Sequence, residues 1–306
     1  MNATDTSALR AHIATLEAQL QATKSLLSTI ESTAKDEPDG SFSSNPITLP
    51  ITPSLHNLML LSDSAMPLGS FAYSSGLESF LIHNKPSSAS SASQPPLSQF
   101  HRFLNLSVQS VAYTTIPYVL AAFRDPLDLM DLDNDLDAST PCTVARRASI
   151  AQGRALLSVW EKAFLRTARS QFETHDQVIT AIEVFSRDLK LSAISNSSST
   201  SLPAVNGHLA PLWGVISLAL GLNLEESGYL FLLNHAKAVV SAAVRASVMG
   251  PYMAQTVLAG KPLQDLIRGA LEKVWRLTPE DAGQVVPCLD LWVGRHELLY
   301  SRIFNS

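Results

Sequence analysis

Between Gly207 and Val248 the chain carries two strongly apolar stretches, Gly207–Leu220 and Glu225–Val248, parted only by Gly221-Leu222-Asn223. Their apolar residues recur three and four apart, the period of a helix. The second is apolar almost all round, which predicts a helix buried inside a bundle. Strand-like alternation is nearly absent from the rest of the chain. The expected fold class is therefore all-α: a single bundle of roughly eight to ten helices over residues 55–306. A coiled-coil-like helix (1–34) and a linker (35–54) precede it.

Neither apolar stretch suits a bilayer. Pro211–Leu224 is too short to span one, and Tyr229–Met249 carries Asn234, His235, Lys237 and Arg245, each expensive in lipid. The first residues lack the basic and apolar blocks of a signal peptide. Cys142 and Cys288 form no close motif and fit a reducing compartment, so a cytoplasmic protein with no membrane partner is expected. A net charge of −5 with no basic stripe excludes nucleic-acid binding as a main activity. Charged residues are only 16% of the chain, leaving a weakly charged surface that favours burial against partners or a large core with Ser/Ala-rich loops.

In chain order, Leu9, Ile13, Leu16, Leu20, Thr23, Leu27 and Ile30 alternate four and three apart, as in a coiled-coil seam. This segment reads as a small dimerisation or docking helix, or as an amphipathic helix on its own domain. Residues 35–54 hold four prolines and no periodicity, which marks a linker. Serine-rich loops are expected at 86–96 and 192–203. Phe100, Leu104, Val108, Val111, Thr115 and Tyr118 share one helical face, with a kink or break at Pro117. Asp125, Asp128, Asp131, Asp133, Asp135 and Asp137 form an acidic patch. Its calcium-loop spacing fails at Leu136 and Cys142, so a solvated loop is the reading. Further helices are expected at 142–172 (stripe Val144, Ala148, Ala151, Ala155, Val159, Lys162), Asp176–Leu191, Tyr252–Ala259 and Pro262–Leu277.

One stretch is organised differently. Leu58 to Phe80 reads LMLLSDSAMPLGSFAYSSGLESF. An apolar helical run stops at Ser62-Asp63-Ser64. Pro67 and Gly69 then interrupt regular structure, and Ser75 with Glu78 three residues on has capping-box spacing. Helix, sharp polar turn, helix is the physical reading.

This segment resembles the signature of the urease accessory protein F family, UreF, roughly SDSALPIGSFAHSxGLE. Ala145-Arg146-Arg147-Ala148-Ser149, Gly207–Gly221, Ser241-Ala242-Ala243-Val244-Arg245 and the tail PCLDLWVGRHELLYSRIFNS resemble the same family, in family order, from about Leu55 onward. The resemblance implies an all-α homodimeric chaperone that is not an enzyme. It would bridge the accessory D/H scaffold protein and the accessory GTPase UreG, deliver nickel to apo-urease, and regulate the GTPase. No cofactor would be held stably, and nickel would be in transit. The residues it points to for partner binding are Ser62, Asp63, Pro67, Tyr73, Gly69, Gly76 and Glu78 in the signature, Arg245, and Trp292, His296, Glu297, Tyr300 and Arg302 in the tail (283–306). Arg245 reads either as a structural ion pair or as a residue that reaches the GTPase or orders the neighbouring loop. The family's Gly-Gln after it is replaced by Gly250-Pro251. The tail reads as a last docked helix or, as the resemblance favours, a segment that orders on the scaffold partner.

Enzyme motifs are absent. There is no phosphate loop and no nucleophile elbow, and Asp63 and Glu78 sit where carboxylates usually cap backbone amides. The eight histidines show no paired ligand spacing, so a high-affinity metal site is not expected and His208 and His235 read as core or capping residues. A generic helical adaptor, or a small hydrolase using Asp63, Ser64 or Glu78, are the rival readings.

Overall fold

The computed structural model describes residues 16, 17, 20, 21, 23–25, 51–84, 95–171, 176–195 and 205–305. The chain divides into two units, 1–50 and 51–306. In the first, the described residues are helical and exposed; the rest of the expected 1–34 helix, the linker to residue 50 and nearly all of both serine-rich loops lie outside the described residues.

The second unit is all-α, with no strand among the described residues. Its helices are α1 (Pro53–Ser62), α2 (Leu77–His83), α3 (Pro96–Thr114), α4 (Ile116–Arg124), α5 (Leu129–Ser139), α6 (Thr143–Val159), α7 (Leu165–Gln171) and α8 (Asp176–Ser195). Then follow α9 (Leu209–Ala219), α10 (Leu224–Arg245), α11 (Pro251–Ala259), α12 (Lys261–Val274) and α13 (Pro287–Arg295).

The core is arranged around α9. Ala210 through Ser217 are all buried, so this helix, rather than α10, is the one enclosed on every side. Each fully buried large side chain such as Leu212 or Trp213 contributes roughly 1.5–3 kcal/mol. Gly214 lets α9 approach α4 closely: a Cβ there would stand 2.3 Å from the Val119 carbonyl oxygen. Gly153 does the same for α6, where a Cβ would meet the Gly207 carbonyl oxygen at 2.2 Å. α10 keeps one side open, with Asn234, His235 and Lys237 only partly buried. Asn223 and Glu226 close its start as a capping box, which is why the chain can turn so tightly after α9.

α3 and α4 form one apolar path broken at Thr115, two residues before Pro117, which sits in the first turn of α4 where its missing amide costs nothing. Together they are long and apolar enough to cross a membrane by length and composition alone; 56% of the most apolar window is buried inside the protein.

Two sequence expectations change. The 142–172 helix has a π-helical turn at Trp160–Phe164. Its buried side is Val144, Ala148, Gly153, Leu156, Leu157 and Trp160, while Ala151 and Lys162 are exposed; the wider turn shifts the helical phase from Trp160 onward. The acidic patch is no solvated loop: most of it is α5, and Asp133 is fully buried.

Candidate partner-docking site

Thr52 caps α1 by accepting the Leu55 amide at 3.1 Å, and the helix ends at Ser62. Its last carbonyls are met by α10. Asn234 Nδ2 donates to the Leu61 oxygen at 2.9 Å, and Lys237 Nζ donates to the Ser62 oxygen. An ammonium at a helix C-terminus is favourable. Burial pushes the Lys237 pKa down, and the nearby Asp63 charge opposes that. Asp63 turns the chain by accepting the Ala65 amide on Oδ1 at 2.9 Å. Pro67 is exposed, Tyr73 half-buried, and Gly69 takes φ +71, open only to glycine without strain.

Entry to α2 differs from the capping box. Ser75 and Gly76 are both left-handed, at φ +53 and +86, so Ser75 lacks the extended backbone of an N-cap. Gly76 is the N-cap, and the hydroxyl that accepts the Glu78 amide belongs to Ser74, at 3.3 Å. The Glu78 side chain is thereby released for another task. Buried, it takes His296 Nε2–H on Oε2 at 2.8 Å, the Ile303 amide on Oε1 at 2.8 Å and the Phe304 amide on Oε2 at 3.3 Å.

Glu78 thus fastens the carboxyl tail to the signature turn. Asn305 adds a backbone bond to the Ala72 oxygen at 2.7 Å. Trp292 packs edge-on against Phe80 with ring centroids 4.8 Å apart, and α13 crosses so close to Gly76 that a Cβ there would stand 3.0 Å from Val293 Cγ2. Arg147 pairs with Glu297 at 2.5 Å, an exposed bridge that holds the Glu297 carboxyl below its usual range chiefly by hydrogen bonding.

Arg245 corrects the ion-pair reading. Among the described residues it has no acidic partner; its guanidinium lies 4.4 Å from the centroid of the buried Phe304 ring. Burial lowers its pKa.

The tail itself is a second correction. It is docked on the bundle rather than awaiting a partner to order it, because Glu78, Arg245 and Ala72 engage it. Its helix stops at Arg295, with a 3-10 turn to Leu298, so Leu299, Tyr300 and Ile303 do not continue the helical face. What the strap presents outward is Leu298 (81% exposed), Tyr300 (fully exposed), Arg302 and Ile303. His296 faces inward and is fully buried. Leu55, Met59 and Leu60 on α1 are also exposed apolar residues.

Behind the turn lies a cavity of about 410 Å³, lined by Met66 and Tyr73 from the turn, Ser107 and Val111 from α3, His235 from α10 and Asp290 from α13. His235 Nε2 meets the Ser107 hydroxyl at 2.8 Å. Burial pushes its pKa down to about 4, so the ring is neutral at pH 7.

A second polar network braces the approach to α9. Asp133 accepts the amides of Asn206 (2.6 Å), Gly207 (3.0 Å) and His208 (2.6 Å), an anion seated ahead of a helix N-terminus. His208, fully buried, bridges the Ser149 hydroxyl and Asp137, each at 3.0 Å, and Asp137 pairs with Arg146. The order Asp–His–Ser has the connectivity of a nucleophile relay. Here Arg146 neutralises the aspartate, Asp133 occupies the nearby amides, and the Leu209 amide donates to the Ser149 oxygen at 3.3 Å. The arrangement ties α5, α6 and α9 together.

No group of three or more His, Cys, Asp or Glu side chains that could hold a metal ion occurs among the described residues. The carboxylates of Asp63 and Glu78 engage backbone amides. The structure brings Gly76, Glu78, Trp292 and His296 into one contact, with Arg245 reaching its far end through Phe304. Ser62 and Asp63 lie at the C-terminus of α1, joined to α10 through Lys237. Sequence reasoning missed Asp133, Asn234 and Lys237. For Asp133 a signal existed: it sits between Leu129 and Leu136 at helical spacing, on the apolar side of α5.

The family model described as UreF matches residues 98–260. An "Uncharacterized urease accessory protein UreF-like" of Schizosaccharomyces pombe is 38% identical over 251 residues, covering 82% of this chain and 97% of the relative. "Urease accessory protein F" of Arabidopsis thaliana is 30% identical over 249 residues, covering 80% and 90%. "Urease accessory protein 6" of Cryptococcus neoformans is 28% identical over 315 residues, covering 84% and 98%.

Proposed function

This chain belongs to the UreF family of urease accessory proteins, and from that premise we propose that it is a non-catalytic docking subunit of urease maturation. In this reading it acts in the cytoplasm as a homodimer. It joins a D/H-type scaffold protein to the accessory GTPase UreG, so that nickel reaches apo-urease in a GTP-dependent step. Nickel is cargo of the assembly rather than a ligand held by this chain. The GTPase responds to docking, so that nucleotide state and metal release are coupled.

The observation that carries the reading is the tail strap. Glu78 fixes a loop whose outward residues, Leu298, Tyr300 and Ile303, are apolar and have no core role. Large apolar side chains displayed on a rigid support are the usual anchors of a protein interface. A tail pinned in place has little ordering entropy left to lose on binding. The cavity behind the turn has polar walls at Ser107 and His235 and stands beside the same support.

The test is urease activity in cells lacking this gene, with and without excess nickel. The reading expects inactive, nickel-poor urease, restored by the wild-type gene. Fully loaded urease in the deleted cells would overturn it.

A further inference from the structure

The docking role gives no chemical task to the cavity behind the signature turn. Its volume of about 410 Å³ falls in the range of small-molecule sites. Most of its wall is apolar: Leu61 and Met66 at the turn, Val111 from α3, Leu136 from α5, and Trp213 and Phe231 from α9 and α10. Several of its polar groups are engaged with one another. Ser110 Oγ donates to Gln284 Oε1 at 2.9 Å, and Gln284 Nε2 donates to Asp290 Oδ1 at 2.8 Å. Ser70 Oγ donates to Gln152 Oε1 at 2.9 Å. Lys237, the one Lys or Arg in the lining, donates to the Ser62 oxygen at the end of α1.

His235 is placed differently. Burial holds its pKa at about 4, yet part of the ring stays open, and the ring lines the cavity. Its Nε2 meets the Ser107 hydroxyl at 2.8 Å. Ser107 is fully buried, and its hydroxyl has no other partner among the described residues. That pattern assigns the tautomer: Ser107 O–H donates to Nε2, because the reverse would bury the hydroxyl proton with no acceptor. The ring proton then sits on Nδ1, which has no partner among the described residues. The cavity thus presents a free N–H donor within apolar walls, where a hydrogen bond is stronger than in water.

The chemistry of an occupant follows. It needs an acceptor for Nδ1–H and an apolar body. An anion meets the carboxylates of Asp63 and Asp290, both in the lining. An ammonium offers no lone pair to Nδ1–H. We propose that the cavity binds a small uncharged carbonyl compound, its oxygen accepting from His235 Nδ1–H and its apolar part lying against Val111, Trp213 and Phe231. This site goes beyond the docking role and does not rest on it.

The test uses the full-length chain at neutral pH and three probes of similar shape: acetophenone, ethylbenzene, which lacks the carbonyl, and benzoate, which adds a charge. Titration calorimetry should show acetophenone saturating one site. Ethylbenzene should bind about ten-fold more weakly, the worth of one hydrogen bond, and benzoate should bind more weakly than acetophenone. His235→Phe keeps a ring in the wall and removes the donor, so acetophenone should fall to the affinity of ethylbenzene. Val111→Trp fills the cavity and should abolish binding of both, with circular dichroism reporting that the helices remain. Failure of acetophenone to saturate the wild-type chain would overturn the proposal. So would equal affinity for ethylbenzene, benzoate binding as tightly as acetophenone, or a carbonyl preference that survives His235→Phe. Should Val111→Trp fail to fold, the His235→Phe comparison decides alone. Urease and its other accessory proteins take no part in these measurements, so failure here leaves the docking reading standing.

Discussion

Glu78 and His296 stand 218 residues apart in the chain and 2.8 Å apart in the fold. The same carboxylate holds two further backbone amides of the tail. One buried side chain thus converts the carboxyl end into part of the signature turn.

Removing that carboxylate should loosen the tail first. Glu78→Ala leaves His296 and two amides without their acceptor, at a cost of about 2–4 kcal/mol. Glu78→Gln, which keeps one carbonyl acceptor, should cost less. Chemical denaturation gives the magnitude, and hydrogen exchange should rise at Ile303 and Phe304 before it rises in α9. Wild-type stability with unchanged exchange would refute the strap.

The two left-handed glycines of the signature should respond differently. A Cβ at Gly69 meets nothing within 4 Å, so Gly69→Ala carries only the backbone strain of about 1–2 kcal/mol. At Gly76 the same strain adds to a clash with both the side chain and the amide of Val293. Gly76→Ala should therefore melt several degrees below Gly69→Ala; equal melting points would contradict the close crossing of α13.

Arg245 and Phe304 should be energetically coupled. A double-mutant cycle with Arg245→Ala and Phe304→Ala is expected to give a coupling of about 1 kcal/mol, favourable in the wild type. Arg245→Lys should keep only part of it, since the ammonium lacks the planar face that stacks. Additive single effects would show that the ring and the guanidinium are merely neighbours.

His235 should make the fold acid-sensitive. Its folded pKa, about 4, lies below the unfolded value near 6.5, so the unfolded chain binds more protons between the two. The contribution is complete above pH 6.5 and is lost as pH falls toward 4, up to about 2–3 kcal/mol given the partly open ring. His235→Gln should flatten the stability profile over that window. A slope unchanged by the substitution would place the acid sensitivity elsewhere.

Much of the bundle was legible because its signals are local. The glycine and asparagine after Leu220, the break before Pro117 and the restart at Pro251 coincide with helix ends, since capping and proline sterics act within one turn. The docking face was less so. Ser75 and Glu78 have capping-box spacing, yet the left-handed backbone at Ser75 frees Glu78 for a partner that only the tertiary fold delivers. Arg245 near a helix end suggested a charge partner, and an aromatic ring from the last residues took that place. Asp133 looked solvated because five other aspartates surround it in sequence; its helical phase among leucines was the better guide.

The central claim is that the outward residues of the strapped loop, Leu298 and Tyr300, dock a partner while contributing nothing to the core. Leu298→Asp with Tyr300→Asp in the full-length chain, followed by capture of the D/H-type scaffold protein, tests it most directly. The account predicts unchanged circular dichroism and melting, with capture and urease activation lost. Undiminished capture by a chain carrying both charges would contradict it.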